Sequence, residues 1–276
     1  MSAEEESKAL KKSYSFDNVK FSAVDLHEVD MKDIGAIQKA MTALASEMPA
    51  EMARFTADDM AKTVKAAGPR SMTQSGALEK IKTMIEDNKT KENAFIVISS
   101  LASEAGTVVE PFMVSFLPAC LEGTSHKKNE VRAAAEDAAS DIVDMVCSWG
   151  VKAMLQMLMV GAKETKWQTK MISLRLIGKL AEKHPYSFSR CLHEAIAVIS
   201  EGMWDTKKDV KEAAASAMQA ACDSVSNRDI KPFVPALINA IQNPEEVPET
   251  VHKLSATVFV QSVDSPALSI TVPILL

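Results

Sequence analysis

Aromatic residues make up only 5% of this 276-residue chain, and glycine is held to 9 residues beside 11 prolines. A β-sandwich of this length needs a turn signal every few residues, so the shortage of turn formers argues against one. The four cysteines (Cys120, Cys147, Cys191 and Cys222) form no C-x-x-C pair. That excludes a zinc ribbon and a dense disulfide frame and fits reduced core thiols. No apolar run approaches the 18 residues or so that a bilayer demands, and no secretory signal opens the chain. A soluble, cytoplasmic protein is the expectation.

Catalytic signatures are missing too. No G-x-x-x-x-G-K-[ST] phosphate loop occurs; Gly178-Lys179 is followed by Leu180 inside a helical pattern. Neither G-x-S-x-G nor H-E-x-x-H is found. The five histidines (His27, His126, His184, His193, His252) stand apart from one another and from cysteine at metal-ligand spacing. No catalytic, cofactor-binding or metal-binding residues are expected, and no enzyme activity from these residues.

What is abundant is alanine, 38 residues, with 16 methionines. Charged residues stand at 25% and apolar ones at 47%, a helix-forming, globular composition. The net charge of −6 excludes a generic polyanion binder. The charge is uneven: residues 1–30 hold seven carboxylates, Glu4, Glu5, Glu6, Asp17, Asp25, Glu28 and Asp30, against four lysines. With little periodicity, this stretch reads as a mobile acidic tail. Residues 31–75 read as divergent N-terminal helices and 76–276 as a repeat array.

The array announces itself by self-similarity. Alanine-rich second helices begin NEVRAAAEDA, KWQTKMISLRLI, KDVKEAAASAM and PETVHKLSATV, each after a helix and a polar turn. A cation or histidine marks one equivalent position in each: Arg132, Lys170, Lys211 and His252, 38, 41 and 41 residues apart. A period near 40 with two helices per unit is the signature of a HEAT array, an all-α right-handed solenoid of about six helix pairs. Val131, Ala134, Ala135 and Ala138 form one buried stripe, and Val210, Ala213, Ala214 and Ala217 repeat it. Val251, Leu254, Ser255 and Val258 repeat it loosely. The segment AFIVIS (94–99) could pass for a strand, but its place in the period and the following LASEA assign it to a helix. Pro118, Pro235 and Pro273 lie inside first helices and should kink or break them. Val272-Pro273 stands one period after Val234-Pro235, so the chain reads as stopping inside a repeat.

The turns within repeats carry the candidate site. GTSHKKN, GAKETKW and MWDTKKD hold Lys127 and Lys128, Lys163 and Lys166, Lys207 and Lys208. Equivalent turns of a solenoid stack along one edge, and helices pack ~8–10 Å apart, so the six lysines would form a stripe of about 20 Å. Such a stripe suits RNA phosphates or an acidic protein, although a lysine-rich turn is also what plain solvated charge looks like. Trp167 and Trp204 either present an aromatic face beside it or plug the layer interface. The fourth turn ends the stripe with Glu245, Glu246 and Glu249.

The strings TKWQTK (165–170), MWDTKKDVKEAAASAM (203–218), NRDIKPFVPALI (227–238) and NPEEVPETVHKLSATVFV (243–260) closely resemble translation elongation factor three of fungi and its algal and protist relatives. The likeness is dense from about 160 to 276 and looser back to about 76. It implies the N-terminal HEAT array of a longer ATPase with two ATP-binding cassettes. Such a protein acts at the ribosomal E site, where it promotes late translocation and release of deacylated tRNA. The implied partners are ribosomal RNA and proteins, mainly of the small subunit, and through the parent protein the elongation factor that delivers aminoacyl-tRNA. ATP and magnesium would belong to the cassettes, whose motifs this sequence lacks; no membrane partner is implied. Two other readings stand beside it: the HEAT segment of a Gcn-type kinase activator, which also binds ribosomes, and a protein-only HEAT scaffold.

Overall fold

The structure, a computed structural model, describes residues 29–275. The acidic stretch therefore lies outside the described residues except for its last two. Of these, Val29 is buried and Asp30 caps the first helix, its carboxylate accepting from the Lys32 N–H at 2.9 Å.

Helices account for the architecture, and no strand occurs among the described residues. Six pairs follow in order. They are α1 (Met31–Leu44) with α2 (Ala50–Ala67) and, after the short α3 (Arg70–Gln74), α4 (Ala77–Glu86) with α5 (Lys91–Ser100). Next come α6 (Glu110–Met113) and α7 (Leu117–Gly123) with α8 (Asn129–Met145), then α9 (Val151–Ala162) with α10 (Trp167–Lys183). After the short α11 (Pro185–Ser189), α12 (Leu192–Met203) pairs with α13 (Lys208–Asp223) and α14 (Val234–Gln242) with α15 (Val247–Ser255). Helix α16 (Ser265–Leu275) opens a further unit. Each second helix packs on its own first helix, and those up to α13 also pack on the second helix before, as in α2–α5–α8 and α10–α13. One hydrophobic core runs the length of the array, through Val64, Met72 and Ala77 without a break. This is the stacked-pair solenoid that the period predicts.

The period also fixes how each pair closes. Gly123, Gly161 and Gly202 end successive first helices, and each faces the residue twelve positions later on its own second helix: Ala135, Ser173 and Ala214. A Cβ on Gly123 would sit 2.8 Å from the Ala135 Cβ and 2.6 Å from Cζ of Phe95. On Gly202 it would meet the Ala214 Cβ at 3.1 Å and Leu174 Cδ1 at 2.8 Å; on Gly161 it would collide with Ser173 Oγ. Glycine opposite a small residue lets the two backbones close up, the reason both are needed. In the next pair the positions hold Asn243 and Ser255, the serine is exposed, and the knuckle is lost.

The joints between second helices differ in kind. Helices α10 and α13 meet along their length, with Gly178 against Ala217, whose Cα would be 3.2 Å from an added Cβ. Helices α8 and α10 meet over fewer positions, and polar groups bridge them. Glu136, Ser140 and Asp144 recur every four residues on α8 and face Arg175, Lys179 and Lys183 on α10. Arg175 reaches Glu136 at 2.8 Å, Lys179 holds Asp144 and donates to Ser140 Oγ at 2.6 Å, and Lys183 lies 3.6 Å from Asp144.

The stripes on α8 and α13 are buried as expected, and 94–99 is helical; the continuation Leu101–Ala105 widens to a π turn. Pro118 and Pro235 break their helices, each into a 3-10 turn followed by a fresh helix with the proline in its first turn. Pro273 does not: α16 runs through it to Leu275. So near the end of a helix, the missing N–H removes only one bond. The loose third stripe is also corrected. Leu254 is buried, but α15 stops at Ser255, which is exposed, and Val258 is 85% exposed. The β-branched and aromatic run Thr257–Val260 is a poor helix former. The Asp229 carboxylate accepts from the N–H groups of Val260 and Gln261 at 2.8 and 2.7 Å and ties that segment to the preceding turn.

Three cysteines are core residues, with Cys147 only half-buried. Burial pushes the Cys120 and Cys222 thiols up, Cys222 to about 12, so neither offers a thiolate near neutrality. Under native conditions iodoacetamide should modify Cys147 first and leave Cys120 and Cys222 untouched until the array unfolds, as peptide mass mapping over time will show.

Candidate functional site

A turn between the two helices of one repeat lies at one edge of the solenoid, and a turn between repeats at the other. The long helix α8 has 17 residues, so the two edges are about 25 Å apart. All six candidate lysines fall on the first edge and are exposed: Lys127 and Lys128 before α8, Lys163 and Lys166 before α10, Lys207 and Lys208 at the start of α13. The turns are neighbours, as side-chain bonds show. Thr169 Oγ1 lies 3.4 Å from Thr124 Oγ1 and donates to the Leu121 carbonyl at 3.2 Å, and Lys170 reaches Asp205 at 2.8 Å.

The lysines do not form one uniform stripe. Lys127, Lys128 and Lys166 converge on a single cleft of about 450 Å³, together with Lys91, Asn88 and His126. Lys91 opens α5 in the preceding repeat. Lys166 also borders a second cleft of about 450 Å³ with Glu122, Glu164 and Thr169, so carboxylates flank the basic floor on that side. Lys163 lies beside this edge at the end of α9, and neither cleft includes Lys207 or Lys208. Lys208 is 3.3 Å from Glu212.

In two of the repeats the cation at the equivalent position closes a turn instead of facing a ligand. The Arg132 guanidinium donates to the carbonyls of His126 and Lys127 at 2.9 and 3.1 Å, fixing the loop that carries Lys127 and Lys128. Lys170 serves the next turn, holding Asp205, whose carboxyl is kept below its ordinary range chiefly by that bond. His126 is positioned by the Lys128 N–H, which donates to Nδ1 at 3.2 Å and leaves Nε2 as the proton carrier. Partial burial first, then Lys91, Lys128, Arg132 and Lys127, push this imidazole below its usual range. Four cations thus surround this histidine, and Glu122 is the one carboxylate among the described residues that lines the same cleft.

The tryptophans part company. Trp167, the first residue of α10, packs half-buried against the core, while Trp204 at the end of α12 is 57% exposed. The three turn strings do not contain Lys91, and His126, inside GTSHKKN, read only as an isolated histidine. The preceding turn, EDNKTKEN, carries the same lysine-rich signal at its place in the period.

Comparison with known proteins decides the lineage. The family model described as "EF3 N-terminal HEAT repeat" matches residues 53–218, more than half of the chain. This chain belongs to the EF3 N-terminal HEAT repeat family. A second model, "Elongation factor 3/GNC1 HEAT repeat", matches residues 245–276. Elongation factor 3 of Gonapodya prolifera is 36% identical over 252 residues, 90% of this chain and 23% of that protein. Elongation factor 3 of Zygosaccharomyces rouxii is 44% identical over 194 residues, 69% of this chain and 19% of that protein. The chain thus spans about a fifth to a quarter of the length of these relatives. Among solved structures, a designed armadillo repeat protein is similar over 87% of this chain and 98% of its own, with 12% identity and a TM-score of 0.41. The first EF3 match contains every candidate lysine and both tryptophans of the edge. No helix among the described residues is long and apolar enough to cross a membrane.

Proposed function

We propose that this EF3-family HEAT array is a ribosome-binding module, which grips RNA phosphates through the lysine-bearing edge. The observation that carries the reading is the cleft where Lys91, Lys127, Lys128 and Lys166 converge around His126. Flexible point charges on turns, without arginine forks aimed at base edges, suit backbone contact and not sequence readout. Lys163, Lys207 and Lys208 extend the contact along the edge, with Trp204 beside them; Trp167 supports the layer from inside. In this reading the ATP-driven steps, late translocation and release of E-site tRNA, belong to cassettes elsewhere in the parent protein, where ATP and magnesium would bind. The array supplies the hold on the small subunit, in the cytoplasm.

Co-sedimentation tests it. The purified chain should pellet with ribosomes at low salt and leave them as salt rises, because binding releases counterions. A chain that stays in the supernatant at 50 mM salt would favour the protein-only scaffold.

A further inference from the structure

The opposite edge of the solenoid holds a second, unrelated surface. The turn between α8 and α9 presents Trp149 at 94% exposure, and α11, at the next turn on the same edge, presents Tyr186 at 80% exposure. Between them lies a cleft of about 670 Å³ lined with Lys152, Lys183, His184 and Arg190. Single exposed apolar residues need no explanation, but two large aromatics on one cationic cleft do.

The tryptophan turn is held firmly from both sides. The Cys147 N–H donates to Glu110 Oε1 at 3.1 Å, and His184 Nε2 donates to the Val146 carbonyl at 2.9 Å. Gly150 makes the turn possible, since a Cβ there would lie 2.6 Å from Val146 Cγ2 and 2.8 Å from Glu110 Oε1. Pro185 presets the first turn of α11, which carries Tyr186. The nearby carboxylates are engaged: Glu110 by that N–H, Asp144 by Lys179 and Lys183, and Glu194 by Gln156. Lys152 and Arg190 form no ion pair among the described residues.

We propose that this cleft binds an unpaired stretch of RNA, its bases stacking on Trp149 and Tyr186 and its phosphates meeting Lys152 and Arg190. Aromatic faces beside cations are how proteins hold single strands, because every base offers a π-face. A rigid turn pays little ordering cost on binding. An acidic peptide would use the cations but gain little from two aromatic faces. The surface lies about 25 Å from the lysine edge, and the proposal does not depend on that edge.

The test is fluorescence anisotropy of a labelled A8 oligonucleotide with the whole chain. Trp149→Ala should weaken binding about tenfold and Tyr186→Ala by a similar factor, while Trp149→Phe keeps most of it. A duplex of the same length should compete poorly. Trp149 is exposed, so thermal melting should not move. The comparison is made in a background with Lys127, Lys128 and Lys166 changed to Ala, so that the lysine edge does not add to A8 binding. Equal losses from Lys62→Ala with Lys65→Ala, two exposed lysines of α2 away from the cleft, and from Trp149→Ala would mean diffuse charge attraction and overturn the proposal. So would unchanged binding by Trp149→Ala, or an oligoglutamate peptide that displaces A8 and depends equally on Trp149.

Discussion

Replacing Ala135 or Ala214 with leucine should cost about 1–3 kcal/mol of stability, seen as a lower urea midpoint. Both side chains are fully buried, and each faces the terminal glycine of its partner helix across a gap already closed to van der Waals contact. Three extra carbons have nowhere to go without parting the helices. The same geometry ranks the glycines. Gly123→Ala should destabilise more than Gly202→Ala. The first drives a methyl into the Phe95 ring and the Ala135 Cβ, whereas at Gly202 the closest atom is the movable end of Leu174. Ser255→Leu, at the equivalent place where the knuckle is absent and the side chain exposed, should be nearly silent. Unchanged melting of Ala135→Leu would mean that close backbone approach does not hold the pairs together.

Changing Lys91, Lys127, Lys128 and Lys166 together to alanine should flatten the salt dependence of ribosome binding by about three log–log units, at about 0.7–0.9 per lost phosphate contact. Across a fourfold rise in salt, that separates the variant from the parent chain by roughly 60-fold. The fold should survive, since exposed charges add little stability. Lys207→Ala with Lys208→Ala should do less, because Lys208 already has Glu212 at 3.3 Å and neither lysine joins the cleft. Wild-type affinity and slope in the quadruple variant would remove the cleft from the ribosome interface.

Much of this molecule is legible in its sequence because a solenoid repeats its own evidence. The stripe Val131, Ala134, Ala135, Ala138 and its copy on α13 can be laid over one another, and a weak local pattern becomes firm when it returns at a fixed period. What fails to repeat is hard to read. Val258 was counted into a helix that stops at Ser255, because the competing bond from Asp229 comes from a turn thirty residues earlier. The basic cleft was only half visible: Lys91 and Lys166 join it from the repeats on either side, a relation that no single turn string contains, and His126 stands in GTSHKKN with no partner at ligand spacing to mark it. Trp149 gave no signal at all, since turns between repeats vary in length and carry no common motif to align.

The rungs joining α8 to α10 have a consequence for any salt titration. Glu136–Arg175 and Asp144 with Lys179 and Lys183 stand where close-packed side chains hold α10 to α13. Exposed ion pairs weaken as counter-ions accumulate, while buried alanine contacts do not. The array is therefore a rod of unequal stiffness, welded after the fourth pair and sprung between the third and the fourth. That spring lies directly between the turn carrying Lys127 and Lys128 and the turn carrying Lys166, so the ions that compete for the phosphates also slacken the frame that aims the lysines. Part of a measured slope will then report bending and not contact. A chain with Arg175, Lys179 and their partners replaced by apolar side chains would carry the same lysines on a salt-indifferent frame and separate the two.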